Sequence, residues 1–254
     1  MHHISFHSRQ EGLQPMRLTL VAAFLCCASL NLFAAPPPSE PDILRGVDQS
    51  VQDRVARVLS FTDVEHYQVF RGSDLKHPAA QMTVKVTYHK GIGKSYQILA
   101  QSGSMLIRKF GLIPLLENEK TINLPGNVER SWFTTSNYSM HLKSGGPQAL
   151  NGRVCYVLAI TPKRKAPNTL VGTLWVDAAT FAIAQVDGVA SRNPSIWSGS
   201  THMSRQYADI EGVPMAVRAR AESSSNLFGR TVVSIDYGDY QLHLTPAPIR
   251  HAVQ

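Results

Sequence analysis

The sequence predicts a mainly β protein with some α-helix (an α+β chain), its strands arranged as an antiparallel barrel or sandwich. Three observations predict it. From Asn137 onward, short strand-like segments recur at roughly ten-residue spacing, each ending in turn residues. Near Val64 the hydrophobic period changes from 3.6 to 2. Helical patterning is confined to Asp42–Leu59 and a very apolar stretch after Ser104. The chain has 254 residues, 43% of them hydrophobic, which suits one domain once an N-terminal segment is set aside. A core of that size folds without disulfide staples.

The N-terminus has the pattern of a signal peptide. Arg17 precedes the apolar run Leu18–Leu30, and the small residues Ala34 and Ala35 close it. Residues 1–35 are therefore expected to be removed on export, with Met16 as an alternative start and residues 1–15 as an extension. An uncleaved anchor is the rival reading; Leu18–Ala35 is short for a spanning helix and is interrupted by Asn31. Lipid attachment at Cys26 or Cys27 lacks the small preceding residue it needs, since Leu25 and Cys26 stand there. Cys155 is the one cysteine beyond residue 35 and alternates with Val157 and Ala159, as a small buried hydrophobe would.

Residues 36–41, with four prolines, read as a linker. A single domain over 42–242 follows, then a loose tail, 243–254. Leu44, Val47, Val51, Val55 and Val58 put one apolar face on the first helix. Val64–Arg71 is expected as a strand. Gln81–His89 and Lys94–Gln101 form a hairpin about Gly91-Ile92-Gly93. Ser104 is a plausible N-cap for the apolar stretch Met105–Leu116, which Gly111 and Pro114 should divide into two short helices. The expected strands after it are Tyr138–Lys143, Val154–Thr161, Leu170–Val176, Phe181–Val186, Ser200–Ile210, Pro214–Ser223 and Gly229–Leu242.

The residues supply no nucleophile–base arrangement. There is no Gly-x-Ser-x-Gly elbow and no Walker-type loop; Gly91-Ile92-Gly93-Lys94 is too short and lies at a turn. His66, His77, His89, His141 and His202 are isolated in sequence, so neither a metal nor a cofactor is expected. Asp236 and Asp239 are expected to be solvated strand-edge residues. The formal charge of +7 comes from scattered residues, apart from Lys163, Arg164 and Lys165. That pattern argues against nucleic-acid binding, which wants a basic stripe with interleaved aromatics; it suits contact with anionic head groups, and solubility alone explains it equally well.

Three stretches carry a family resemblance: Leu150–Leu158 with Thr161-Pro162-Lys163; Gly172–Asp177 with Phe181 and Ile183; and Tyr207 to Glu211-Gly212-Val213-Pro214 with Ile235-Asp236-Tyr237. Together with the order helix, strands, apolar helix pair, strand meander, they resemble the outer-membrane lipoprotein-sorting (LolA-like) family and its receptor and stress-sensor relatives. The resemblance implies an antiparallel incomplete β-barrel wrapped around helices, in the periplasm, binding a lipid or acylated protein in an apolar cavity. It implies a non-enzymatic carrier, a monomer with transient membrane contacts. The alternative is an envelope sensor or scaffold with a filled barrel and a protein partner. Leu106, Phe110, Ile113 and Leu116 are the lid candidates; a fully buried core helix is the plainer reading of the same stretch. Trp132, Trp175 and Trp197 are candidates for the cavity wall or mouth.

Overall fold

The computed structural model describes residues 37–166, 168–192, 200–225 and 229–246. Helix α1 spans Glu40–Arg57. Ser39 caps it reciprocally: its hydroxyl accepts from the Asp42 amide at 3.4 Å, and the Asp42 carboxylate accepts from the Ser39 amide at 3.3 Å. Pro41, assigned to the linker above, lies in the first turn, where its missing N–H has no helical partner to lose. The helix ends earlier than its periodicity suggests. Val58 and Leu59 open strand β1 (Val58–Arg71), and Val58 is paired with Leu244. Sheet pairing there overrides a helical pattern that a β-branched residue supports only weakly.

Strand β2 (Ala80–His89) and β3 (Gly93–Gly103) form the expected hairpin. A helical segment follows: α2 (Met105–Ile107), a π-helical turn (Arg108–Leu112) and α3 (Ile113–Ile122). Two α-helices thus flank a π-turn that holds Gly111. The chain stays helical because Pro114 falls in the first turn of α3 and Gly111 lies in the wider π-turn. The remaining strands are β4 (Tyr138–Leu142), β5 (Gln148–Leu150), β6 (Arg153–Pro162), β7 (Leu170–Asp177), β8 (Ile183–Ala190), β9 (Thr201–Ile210), β10 (Val213–Ser225) and β11 (Gly229–Leu244). β5 escaped the sequence reading, being three residues long. β11 runs into the expected tail, where His243 pairs with Ser60.

All strands join one antiparallel sheet in the order β3-β2-β1-β11-β10-β9-β8-β7-β6-β4, with β5 also on β6. β3 and β4 end the path without pairing to each other, so the barrel is incomplete. Tight turns set the register. Asn151-Gly152 and Glu211-Gly212 both have positive φ at two successive residues (49° and 78°; 54° and 75°), the conformation that joins twisted strands most closely.

One register row crosses the sheet: Leu142, Leu158, Leu174, Val186, Arg205, Ala219, Ile235, Tyr67 and Met82. Paired residues share a face, so this row marks the inner face. Both helical elements pack there, over different halves. α1 seats Ile43 and Val47, fully buried, among Tyr138, Leu158, Leu174 and Val186. Gly46 lets α1 approach closely; a Cβ there would sit 2.4 Å from the Phe181 ring. The α2–α3 segment seats Leu112 and Leu116 against Tyr67, Met82, Val84 and Ile235. A third cluster, Val58, Phe61, Val86, Val213 and Met215, fills the end near Arg57.

Candidate functional site

The segment over β1–β3 has an unusual distribution of apolar side chains. Ser104 starts it, its hydroxyl accepting from the Ile107 amide at 3.4 Å, and its own N–H donates to the Ala79 carbonyl at 2.8 Å. Leu112 and Leu116 are buried, and Ile107, Ile113 and Leu115 pack against the same cluster. Met105, Leu106 and Phe110 point outward, 68%, 65% and 69% exposed. Lys109 stands over the Phe110 ring at 5.6 Å. Of the four lid candidates, Leu116 and Ile113 therefore face the interior, and Leu106 and Phe110 face solvent. The stretch is neither a plain core helix nor a cover with only its inner face apolar.

Beneath α3 lies a charged cluster that sequence reasoning missed. Glu65, 1% exposed, receives the Tyr67 hydroxyl and the Lys94 ammonium, the latter at 3.3 Å. Lys94 also faces Glu119 of α3 at 3.8 Å, and Glu119 faces Arg205 of β9 at 3.7 Å. Burial alone would strip Lys94 of its proton, but the Glu65 and Glu119 carboxylates outweigh it and hold the ammonium well above its ordinary value. The Arg205 guanidinium is likewise held charged, chiefly by Tyr237. Tyr96 and Tyr237 complete the surround, their hydroxyls made harder to ionise first by burial.

Asp63 is the outlier of this cluster. It is 2% exposed, and neither carboxyl oxygen has a hydrogen-bond partner. Burial first, and the Glu65 charge second, push its carboxyl up to about 7. The nearby Tyr240 hydroxyl is committed to the Ala216 carbonyl at 2.7 Å. The sequence did carry a signal. Asp63 and Glu65 have the same odd parity as Phe61, Tyr67 and Val69, all buried in β1.

The other candidates do not join this site. Trp175 lies on β7 between the buried Leu174 and Val176, and so on the outer face with Val171 and Thr173. Trp132 follows the 3₁₀ turn Val128–Ser131 and is half-buried, its carbonyl accepting from the Asn137 side chain at 3.0 Å. Trp197 lies outside the described residues. At the position expected for the apolar cavity, Tyr67, Met82 and Val84 are buried beside the charged cluster. A depression of about 430 Å³ occurs instead on the outer face, walled by polar residues including His66, Gln68, Gln81 and Asp236. His202 pairs with Asp187 at 3.0 Å and Asp236 with Arg218 at 2.8 Å, and burial raises the Cys155 thiol. No cluster of metal-ligating side chains occurs among the described residues.

No protein-family model matches the chain, and no curated protein matches it. Solved structures do. A LolA superfamily protein from Nitrosomonas europaea is 14% identical, with 80% of this chain and 94% of that one covered, at a TM-score of 0.46. A putative outer membrane lipoprotein-sorting protein domain from Vibrio parahaemolyticus is also 14% identical, covering 79% and 93%, at a TM-score of 0.45. The MucA/MucB complex of Pseudomonas aeruginosa matches at 14% identity, 77% and 92% coverage and a TM-score of 0.28.

Proposed function

We propose that the protein is a non-enzymatic binding protein of the cell envelope that takes up a lipid or the acyl chain of a lipidated partner, with α2–α3 as its movable element. One observation carries this reading: the segment presents apolar side chains on both sides while its seat is partly ionic. Met105, Leu106 and Phe110 are open to an acyl chain directly. Lifting α3 separates Glu119 from Lys94 and Arg205. Those charges regain water on separation, which offsets much of the lost attraction. The movement would uncover Leu112, Leu116, Met82 and Val84, and each acyl CH₂ buried against them contributes roughly 0.8 kcal/mol. The export pattern of residues 18–35 supports a periplasmic location for such a protein. Among the described residues no helix is long and apolar enough to cross a membrane.

The side chains buried beneath α3 support a second reading, a scaffold that binds a protein. β3 offers it an 11-residue edge strand with Ile98 and Leu99 exposed, the kind of edge to which an extended peptide adds. Native mass spectrometry with lipid extraction, on the full chain purified without detergent, separates the two. A stoichiometric lipid or acylated peptide, reduced in Phe110→Asp while the melting temperature holds, supports the carrier. A bare protein that does not take up an apolar probe supports the scaffold.

A further inference from the structure

The exposed side of α2 and the π-turn has a charge environment that the ligand-binding reading does not use. Between Asp74 and Glu117 the sequence contains no acidic residue, while it contains Lys76, Lys85, Lys90, Lys94, Arg108 and Lys109. Of these only Lys94 is spent on interior carboxylates. Arg108 and Lys109 form no ion pair among the described residues, and Lys76, Lys85, Lys90 and Lys109 are exposed. At the end of the β2–β3 hairpin where Ser104 meets Ala79, the exposed apolar side chains are Leu75, Met105, Leu106 and Phe110, with Asp74 the one acid of the β1–β2 loop and paired to His77; Lys90 and Ile92 lie at the other end. Met105, Leu106 and Phe110 project from one short segment. The β1–β2 loop that carries exposed Leu75 and Lys76 ends at Ala79, whose carbonyl accepts from the Ser104 amide.

We infer that this corner of the molecule docks on an anionic phospholipid bilayer. Apolar side chains flanked by lysine and arginine, on a segment without acids, match an interface whose head groups are negative and whose interior is apolar. Phe110 and Leu106 enter the boundary between head groups and acyl chains. Lys109 lies across the Phe110 ring and reaches back to the phosphates. A folded protein surface would have to be both acidic and apolar to match Leu106, Phe110, Arg108 and Lys109 together, whereas an anionic bilayer supplies both at every point. The docking surface shares Leu106 and Phe110 with the proposed acyl contacts, but it does not require that the interior take up a lipid.

Flotation of the full chain with vesicles tests it. The probes are phosphatidylcholine vesicles and phosphatidylcholine vesicles containing phosphatidylglycerol. The parent protein is expected to float with the anionic vesicles alone and to be released as salt rises. Lys109→Gln should weaken the association about fivefold, from loss of one surface charge. Phe110→Ser should weaken it about tenfold or more, from loss of a buried ring. Val171→Ser, an exposed apolar position on β7, is the matched control and should change nothing. All variants carry the same N-terminal segment, so differences among them report the corner itself. Equal flotation with both vesicle types, none with either, or anionic flotation that neither Lys109→Gln nor Phe110→Ser weakens would each overturn the inference. The lipid-extraction result stands apart from it: bound lipid without vesicle docking, or docking by a protein with an empty interior, fails only one of the two.

Discussion

The two helical elements fill the same sheet face by opposite means. α1 seats on an apolar core: Ile43 and Val47 have no exposure, and their neighbours on β6 and β7 include Leu158, Ile160, Leu174 and Val176. α3 seats half on apolar side chains and half on Lys94, Glu65 and Arg205. Removing α1 would expose apolar area at roughly 25 cal/mol per Å², and solvent would replace only its polar contacts, such as Arg54 to the Pro214 carbonyl and the Thr135 amide to Asp48. Removing α3 exposes charges that water stabilises. The difference teaches that α1 is held mainly by apolar burial and α3 in part by ion pairs.

The comparison can be broken most sharply at Lys94. Lys94→Met leaves Glu65 buried beside Asp63 with no cation, and should cost about 3–5 kcal/mol by chemical denaturation. A loss below about 1 kcal/mol would mean the cluster is hydrated and α3 has no ionic seat. On the α1 side, Ile43→Ala should cost about 2–5 kcal/mol through the cavity it leaves. A much smaller cost would make α1 as loosely held as α3.

Asp63 sharpens the contrast through pH. Its folded carboxyl value, about 7, lies above the ordinary 3.8 of an exposed aspartate. The folded state therefore holds the proton more tightly, and stability falls as pH rises from about 4 to about 7. Asp63→Asn should remove that slope and stabilise the protein by up to about 4 kcal/mol above pH 7. An unchanged slope would show that Asp63 is solvated or paired. Amide hydrogen exchange supplies a gentler test. Residues 113–122 should exchange faster than residues 43–57, and uniform rates would remove the case for a movable segment. The smallest effect belongs to Phe110→Ala. Its stability change should stay within about 0.5 kcal/mol, because the ring is already in water.

Most of the architecture was legible from local pattern. Strand alternation and paired turn residues placed β2, β3 and the meander from β6 to β11 to within a few residues, since a period-2 pattern and a positive-φ turn are local properties. The errors fell where long-range pairing decided. Val58 and Leu59 continue a helical face in sequence, yet they join the sheet because Leu244 and the end of β11 lie beside them. Phe181–Val186 was expected as a strand, but β8 starts at Ile183 because Phe181, at φ 56°, turns back to pack on Gly46.

By itself, the sequence determined an antiparallel, strand-rich domain with two helical stretches, an export-type leader pattern and an acid-free basic region from 75 to 116. Each is set by neighbours within a few residues or by composition. Which way the side chains of the apolar stretch point, and that Asp63, Glu65, Lys94, Glu119 and Arg205 meet under α3, only the tertiary structure decided. Those five lie on four strands and helices separated by up to 142 residues, from 63 to 205. Strand pairing and helix docking bring them together, and no local periodicity encodes that meeting.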